Sequence, residues 1–375
     1  MSQSEGHSRR MHAGAPAAPR FVGAGLRSDE IADHAQLALQ RLPTLATLMA
    51  RSVDPLGYRH GLQALALPQP LSRRLGRLAA EHPDLYQHHL VVAIVADFLA
   101  AGLQFADTDR QALLLAALFH DAGLADLDAM AQVGDYSKAP LNLIDAHPAM
   151  AARLLRDCPD VPEATVIAVL QHHERPDGSG YPSRLAHDAL QPLGQLLAIA
   201  EAAGSVLPHR RPLALLIWLR LVRPGFRTDA IDLLVRGLHG IVLPGYSRPS
   251  ESRLLILSEQ LGGQAALFDD WLAQREHLRA LALPDFVIER LDRIYGMLAQ
   301  LGIDPQRIEL ALDSVADDEL VTQELLALVQ EIDWQLGDLL RDIERQTSPQ
   351  SNWPGWRLEL EALVQRLRAA RGERG

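Results

Sequence analysis

Apolar residues in the first part of the chain recur at the three- and four-residue spacing of an amphipathic helix. Ser28 followed by Asp29 and Glu30 predicts a helix start, because a side-chain oxygen can cap free N–H groups and acidic side chains favour the positive end of the helix dipole. The apolar positions that follow are Leu37, Leu39, Leu42, Leu45 and Leu48. Pro43 lies inside this run and is expected to break or kink the helix.

The same periodicity continues across most of the chain. Val, Ile, Thr and aromatic residues are scarce beside Leu and Ala, and almost no segment alternates as a β-strand does. We therefore predict an all-α protein. The further candidate helices span 71–80, 84–101, 251–262, 264–281, 284–301, 304–313, 317–346 and 356–371.

A chain of 375 residues is long enough for two or three domains. Residues 1–27 are rich in Ala, Gly, Pro, Ser and Arg without a hydrophobic period, which predicts a disordered leader. The string LPGYSRPS predicts a boundary near 244–250. The expected units are a helical N-terminal region at 28–81, a central domain at 82–244 and a helical C-terminal domain of unknown role at 250–375.

The longest predicted helix lies near the C-terminus, from Val315 to Gln346. Its leucines and isoleucines stand three and four residues apart and form an apolar stripe. Such a stripe needs a partner surface, which preceding helices or a second copy of the chain can supply. We expect homodimerisation through residues 251–375.

Charge and cysteine content narrow the class of protein. The net charge is −11, which argues against a general DNA-binding protein because the chain as a whole repels phosphate backbones. Cys158 is the single cysteine and cannot form an intramolecular disulfide, so a reducing cytoplasm fits best. The most apolar run, Leu213 to Val222, is too short to span a bilayer, and we predict no membrane span.

Histidines and carboxylates concentrate at or inside the predicted helices of the central region. Imidazole and carboxylate groups bind borderline and hard metal ions, and a carboxylate can bridge two ions. A dinuclear site of this kind activates water for hydrolysis of a phosphate ester. The residues concerned are His88, His120, Asp121, His147, His172 and His173.

The same segments resemble a known family. LLLAALFHDAGLADL is similar to the signature helix of HD-domain phosphohydrolases, and HHERPDGSGYPSRL resembles the second signature of the HD-GYP subfamily. HHLVVAIVADFLA and HPAMAARLL resemble flanking segments of that family, and the likeness covers roughly residues 82–240. The resemblance implies an HD-domain helical bundle as the catalytic domain, with additional helical N- and C-terminal regions.

The resemblance also implies a ligand set for two divalent ions, with iron or manganese preferred. Asp121 would bridge both ions and is the expected catalytic residue. His147, His172 and His173 would complete one site, and His120, Glu201 and His88 the other. His89 is the alternative to His88, although the helical pattern favours His88. Asp84 either holds a third ion or caps its helix.

Three departures from the family pattern bear on activity. The first signature usually reads HDIGK, whereas Leu124 replaces the lysine that contacts phosphate. Lys138, or an arginine such as Arg153, is a candidate to supply that cation instead. Glu201 stands in place of an aspartate, and Gly204 in place of another. We therefore expect reduced activity.

The family uses the GYP loop to line the mouth of the site and to contact partners. The matching residues, expected to bind substrate, are Asp177, Gly178, Gly180, Tyr181 and Pro182. An ordinary turn explains the same residues, and both interpretations can hold. The loop is also the expected contact for signalling-protein partners.

The function that the resemblance implies is a metal-dependent phosphodiesterase that hydrolyses a cyclic dinucleotide, with cyclic di-GMP as the preferred substrate. One alternative is a weak or inactive HD-GYP-like domain that binds a cyclic dinucleotide or a signalling protein. A second alternative is an HD phosphohydrolase that acts on another nucleotide. Ligand type and spacing alone reach only as far as metal-assisted phosphoester hydrolysis.

Overall fold

The computed structural model describes residues 25–125, 144–176, 178, 180–209, 215, 219, 226–238, 250–281, 283–300, 304, 306–307, 319–346 and 357–372. Within these ranges the chain forms α-helices and short 3-10 turns without a β-strand, so the predicted all-α fold is confirmed. The helices are α1 Ser28–Arg41, α2 Pro43–Ala50, α3 Gly57–Ala64, α4 Gln69–Glu81, α5 Pro83–Gly102, α6 Asp107–Phe119, α7 His147–Arg156, α8 Glu163–Gln171, α9 Pro192–Val206, α10 Thr228–Leu238, α11 Glu251–Ala280, α12 Asp285–Gln300, α13 Glu319–Gln346 and α14 Arg357–Ala370.

Helix α5 forms the centre of the larger hydrophobic core. Its residues from His89 to Ala101 are all buried, and α6 and α9 pack directly against it while α1, α3 and α4 cover other sides. By length and composition alone, α5 could also cross a membrane, but 78% of the relevant window is buried inside the protein. Burial on all sides accounts for its apolar sequence, because a helix that is hydrophobic all round belongs in a core.

The first two helices are separated at the predicted proline. Helix α1 ends at Arg41, and α2 begins at Pro43, where the missing N–H removes no intrahelical hydrogen bond. Ser28, predicted to cap α1, is its first helical residue, and the Ser28 hydroxyl donates to the Leu65 carbonyl at 2.6 Å. The serine therefore joins α1 to the segment after α3.

The C-terminal helices α11 to α14 enclose a second hydrophobic core. Helix α11 runs without a break, so the predicted separation of 251–262 from 264–281 is wrong. Gly263 lies inside this helix, where a Cβ would come within 3.1 Å of the Ala370 carbonyl oxygen. The glycine therefore allows α14 to pack close to α11.

The apolar stripe of α13 is covered by the chain itself. Its members are buried against α11, α12 and α14: Leu325, Leu328, Ile332, Leu336, Leu339, Leu340 and Ile343. The stripe therefore gives no reason for a second copy to bind, and dimerisation stays a prediction. The described part of this helix begins at Glu319, and residues 308–318 lie outside the described residues.

Two of the predicted boundaries fall partly outside the described residues. Residues 1–24 are not among them, but Leu26, assigned to the predicted leader, is fully buried. Residues 239–249 also lie outside, although the first core ends at Leu238 and the second begins at Leu257 on either side of the proposed boundary. Of the predicted helix 304–313, the described residues 304 and 306–307 are not helical.

Candidate metal centre

Five helices bring the predicted metal-binding side chains together. They form two clusters that share Asp121, and within each cluster the candidate ligand atoms lie within 4.8 Å of one another. The residues are His88 on α5, His120 and Asp121 after α6, His147 at the start of α7, His172 and His173 after α8, and Glu201 on α9. Chain segments separated by more than 100 positions thus converge on one point.

The first cluster is centred on the Glu201 carboxylate. Its Oε2 atom lies 2.7 Å from Nε2 of His88 and 3.0 Å from Nε2 of His120. The Ser205 hydroxyl, one turn later on α9, donates to Glu201 Oε1 at 3.0 Å. The Oδ2 atom of Asp121 lies 3.5 Å from His120 Nε2 and closes the group.

The second cluster contacts the other oxygen of the same aspartate. Asp121 Oδ1 lies 3.0 Å from Nε2 of His147 and 3.3 Å from Nε2 of His172. The His173 ring lies 4.1 Å from the His172 ring, between centroids. Since Oδ1 and Oδ2 face different clusters, Asp121 has the orientation that a bridging carboxylate requires.

Three of the histidines are fixed in the same tautomer by the backbone. Each donates its Nδ1–H to the carbonyl three residues earlier: His120 to Ala117 at 2.8 Å, His147 to Ile144 at 2.6 Å and His172 to Val169 at 2.6 Å. Backbone bonds of this kind orient metal-binding histidines, because they leave the Nε2 lone pair directed into the site.

The donor atoms fit a pair of divalent cations. With Nδ1 protonated, the Nε2 lone pairs of His147 and His172 face each other at 3.3 Å, and both face an Asp121 oxygen. Such a group of acceptors is repulsive unless a positive charge lies among them. Imidazole and carboxylate donors suit divalent transition metals.

The buried carboxylates keep their negative charge. Burial opposes ionisation of Asp121, but His120 and His147 outweigh burial and hold its pKa well below the usual range. Burial also opposes ionisation of Glu201, but His88 and His120 hold its pKa well below the usual range. Burial would lower the pKa of His120, yet Asp121 and Glu201 raise it to about 9. The first cluster therefore stabilises positive charge.

Two further sequence expectations concern α5. His88 reaches the Glu201 carboxylate, whereas His89 is buried with its Nδ1 atom 2.8 Å from the Leu118 carbonyl oxygen. The geometry thus favours His88 over the alternative. Asp84 is exposed in the first turn of α5, shows no capping hydrogen bond and belongs to neither cluster found among the described residues. The position of Asp84 therefore does not support a third ion there.

The GYP loop folds back over the second cluster. The Tyr181 ring stacks on His173 with centroids 4.7 Å apart and planes 20° apart. Gly180 passes so close to the Arg175 amide and the His173 carbonyl that a Cβ would collide with backbone, and Gly178 has a φ of +74°. Pro182 follows in the same loop, and Asp177 lies outside the described residues.

Glu174 is a functional residue to which the sequence analysis gave no role. Its buried carboxylate accepts hydrogen bonds from the backbone N–H groups of Ser183 at 2.6 Å and Leu185 at 2.9 Å. These bonds anchor the GYP loop to the end of α8. An acidic residue inside the HHE string was the available signal, because a buried carboxylate requires hydrogen-bond donors.

Of the two cations that the sequence analysis named as substitutes for the lysine missing at Leu124, only Arg153 is among the described residues. Lys138 lies outside the described residues. Arg153 lines a different cavity, between α4 and α7, together with Arg74. Arg175, which the sequence analysis did not single out, does line a cavity of about 360 Å³ beside the metal ligands His172, His173 and Glu201. This cavity is the approach to the metal centre.

Comparison with known proteins places this centre in a family. A family model described as "HD domain" matches residues 73–206, a range that contains both clusters. The match begins inside α4, nine residues before the predicted domain start at 82.

Three curated relatives match part of the chain. The cyclic di-GMP phosphodiesterase PA4108 of Pseudomonas aeruginosa is 32% identical over 138 residues, which is 36% of this chain and 33% of the relative. The cyclic di-GMP phosphodiesterase response regulator RpfG of Xanthomonas campestris is 27% identical over 119 residues, 31% of this chain and 32% of the relative. The 3'3'-cGAMP-specific phosphodiesterase 3 of Vibrio cholerae is 27% identical over 158 residues, 41% of this chain and 34% of the relative.

The chain spans about a third of the length of each of these relatives. The expected resemblance to HD-GYP phosphodiesterases is thus confirmed for the central domain. Residues 73–206 of the chain therefore resemble the HD-domain family.

Proposed function

We propose that this protein is a metal-dependent phosphodiesterase that hydrolyses a cyclic dinucleotide, with cyclic di-GMP as the preferred substrate. The observation that carries the proposal is the pair of ligand clusters that share Asp121. Two divalent ions held by these residues would supply an activated water nucleophile and stabilise the charge that develops on the phosphate oxygens. Iron and manganese suit the mixed nitrogen and oxygen donors.

The chain's own residues prepare the site before substrate arrives. The backbone carbonyls of Ala117, Ile144 and Val169 hold three imidazoles with Nε2 directed inward. Such preorganisation avoids reorientation of the donors during the reaction. The ionised carboxylates of Asp121 and Glu201 supply the negative charge that binds cations.

The GYP loop has a positioning role in this proposal. Glu174 fixes the loop, and the stacked Tyr181 ring covers one face of His173. Gly178, Gly180 and Pro182 belong to the same loop, and Tyr181 also lies edge-on to His147 with ring centroids 6.1 Å apart. Backbone without a side chain at the two glycines allows a phosphate to come close.

The substrate class is supported by the relatives. Two are cyclic di-GMP phosphodiesterases, and the third is specific for 3'3'-cGAMP, so each acts on a cyclic dinucleotide. Leu124 favours one rival function, in which the site binds the dinucleotide without turnover, because a phosphate-contacting lysine is absent there.

The test uses the full chain purified without oxygen, with metal content measured by elemental analysis. The protein is incubated with cyclic di-GMP, 3'3'-cGAMP or dGTP in the presence of Mn²⁺ or Fe²⁺, and the products are separated by chromatography. We expect a linear dinucleotide or a mononucleotide from cyclic di-GMP. Two bound ions per chain without product from any cyclic dinucleotide would favour the binding module, and product from dGTP alone would favour a different phosphohydrolase.

A further inference from the structure

The cavity beside the metal centre has a far wall that belongs to the C-terminal helices. His172, His173 and Glu201 line one side, and Glu331 and Trp334 of α13 line the other. A volume of about 360 Å³ lies within the range of small-molecule sites. A ligand that reaches the metal centre through this cavity therefore also contacts residues more than 120 positions later in the chain.

Helix α13 is held at this position by buried ion pairs. Asp338, one turn after Trp334, accepts Arg175 at 2.8 Å and Arg290 at 2.7 Å through Oδ2, and Arg341 contacts its Oδ1 atom at 3.2 Å. Burial opposes ionisation of Asp338, but these arginines outweigh burial and hold its pKa well below the usual range. Arg175 directly follows Glu174, so this contact joins α13 to the base of the GYP loop.

The far wall carries an exposed aromatic ring and a buried carboxyl group. Trp334 is 42% exposed, and the Arg175 guanidinium lies 5.9 Å from its ring centroid. Glu331 is buried one turn earlier, where the Gln335 amide donates to its Oε1 atom at 2.8 Å. Burial raises the pKa of Glu331 to about 8, against the opposing effect of Arg175. An aromatic face thus stands beside a buried carboxyl group.

We propose that Trp334, Glu331 and Arg175 form a guanine-recognition subsite through which the C-terminal helices select the substrate of the metal centre. The inference rests on the proposed function, since it names the base that this function would recognise. Trp334 offers the flat apolar surface on which a base stacks. Once it releases its proton, above about pH 8, Glu331 offers two acceptor oxygens, and Arg175 offers donors on the same side of the cavity.

Guanine matches this set of groups better than adenine does. Guanine carries adjacent donors at N1 and N2, which a carboxylate accepts as a pair, and adjacent acceptors at O6 and N7, which an arginine can contact. Adenine carries an acceptor at N7 beside a donor at N6, so it cannot satisfy Arg175 in the same way. The subsite therefore predicts a preference for guanine-containing cyclic dinucleotides.

The experiment compares kcat and KM of the Mn²⁺-loaded full chain on cyclic di-GMP and cyclic di-AMP at a pH above about 8, where Glu331 is ionised. The variants are Trp334→Ala, Trp334→Phe and Glu331→Gln, with Leu358→Ala and Glu259→Gln as matched controls at exposed positions of the same helical unit. Trp334→Ala should raise KM for cyclic di-GMP about 10-fold with kcat changed less than about twofold, and Trp334→Phe should restore most of the loss. Glu331→Gln should reduce the preference for cyclic di-GMP over cyclic di-AMP about 10-fold.

Calorimetric titration of the same proteins with both dinucleotides separates this inference from the proposed function. If the wild-type chain binds cyclic di-GMP without hydrolysing it, the proposed activity fails, while an affinity loss of about 10-fold in Trp334→Ala still supports the subsite. If hydrolysis is normal and neither variant changes KM or base preference beyond the controls, the subsite is overturned. A wild-type preference for cyclic di-AMP, or an equal loss in the controls, overturns it as well.

Discussion

Two buried clusters of charged side chains in this protein differ in the partners of their carboxylates. In the metal centre, the Asp121 and Glu201 carboxylates contact imidazole nitrogens, and acceptor atoms face one another. In the C-terminal core, Asp338 and Asp342 contact the guanidinium group of Arg290 instead. The second cluster therefore contains its own positive charge, and the first is arranged to receive positive charge from outside the chain.

The difference shows how burial of charge distinguishes a binding site from a structural contact. Isolated charges cost several kcal/mol to bury, so an aspartate in a core needs a partner. Arg290 and Asp342 satisfy that need within α12 and α13. In the metal centre the backbone fixes the histidines with their lone pairs directed inward, which suits a metal rather than an internal ion pair.

The largest expected effect comes from removal of the shared carboxylate. Asp121→Ala should lower phosphodiesterase activity by about 10³-fold or more, because each oxygen of this residue faces a different cluster. Bound metal measured by elemental analysis should fall with activity, and thermal unfolding should occur at a lower temperature. Asp270→Ala, at an exposed position of α11, serves as the control. If Asp121→Ala kept its full metal content, metal binding would not depend on a bridging carboxylate. The contrast drawn between the two clusters would then be wrong.

A substitution in the cluster of Arg290, Asp338 and Asp342 should change the stability of the protein and leave its metal content unchanged. Arg290→Met removes the buried guanidinium group that contacts Asp338 and Asp342, so the free energy of unfolding in urea should fall by about 3 to 5 kcal/mol. Arg279→Met removes an exposed ion pair with Asp292 and should cost less than about 1 kcal/mol. A loss of metal in Arg290→Met, with the HD domain still folded, would contradict the division of roles between the two clusters.

The sequence was sufficient for the parts of the site that depend on local pattern. Helical periodicity predicts α4 and α5 to within two residues at each end, and the motif strings contain every residue of the two clusters except Glu201. The choice of His88 over His89 also followed from periodicity, because His88 has helical spacing to Val92, Val95 and Leu99, and His88 does contact Glu201.

The sequence was not sufficient for features that depend on distant packing. Nothing local distinguishes Glu331 or Trp334 from other polar and aromatic residues, and their role arises only when Asp338 pairs with Arg175, 163 positions earlier. The paired glycines in α11 suggest a break by propensity, yet the approach of α14 accounts for a glycine at 263 inside a continuous helix. Asp84 has the spacing of a ligand, but it remains exposed in the first turn of α5.

A smaller effect is expected when a substitution introduces a positively charged side chain near the metal centre. Leu124→Lys should raise kcat on cyclic di-GMP about 10-fold, because a positive side chain near the phosphate stabilises developing charge and Arg175 is already paired with Asp338. Leu124→Met, which adds no charge, should leave kcat unchanged. An equal kcat in the lysine and methionine variants would indicate that another cation already contacts the phosphate.

The smallest expected effect concerns Glu331, an acid on α13 that differs from Asp338 because it accepts a hydrogen bond from the neutral Gln335 amide. Burial raises its pKa to about 8, so the folded chain keeps this proton across a range in which the unfolded chain has released it. Between the ordinary glutamate pKa and about 8, the folded state binds more protons, and the contribution of Glu331 to stability therefore falls as pH rises.

Glu331→Gln removes this dependence and provides the measurement. The free energies of unfolding of variant and wild type should be similar at about pH 5, and the variant should gain at least about 1 kcal/mol relative to wild type by about pH 8.5. Glu259→Gln, at an exposed position of α11, should run parallel to the wild type across the same range. If Glu331→Gln also runs parallel, the Glu331 carboxyl is ionised in the folded chain, and α13 satisfies it as fully as Arg290 satisfies Asp338.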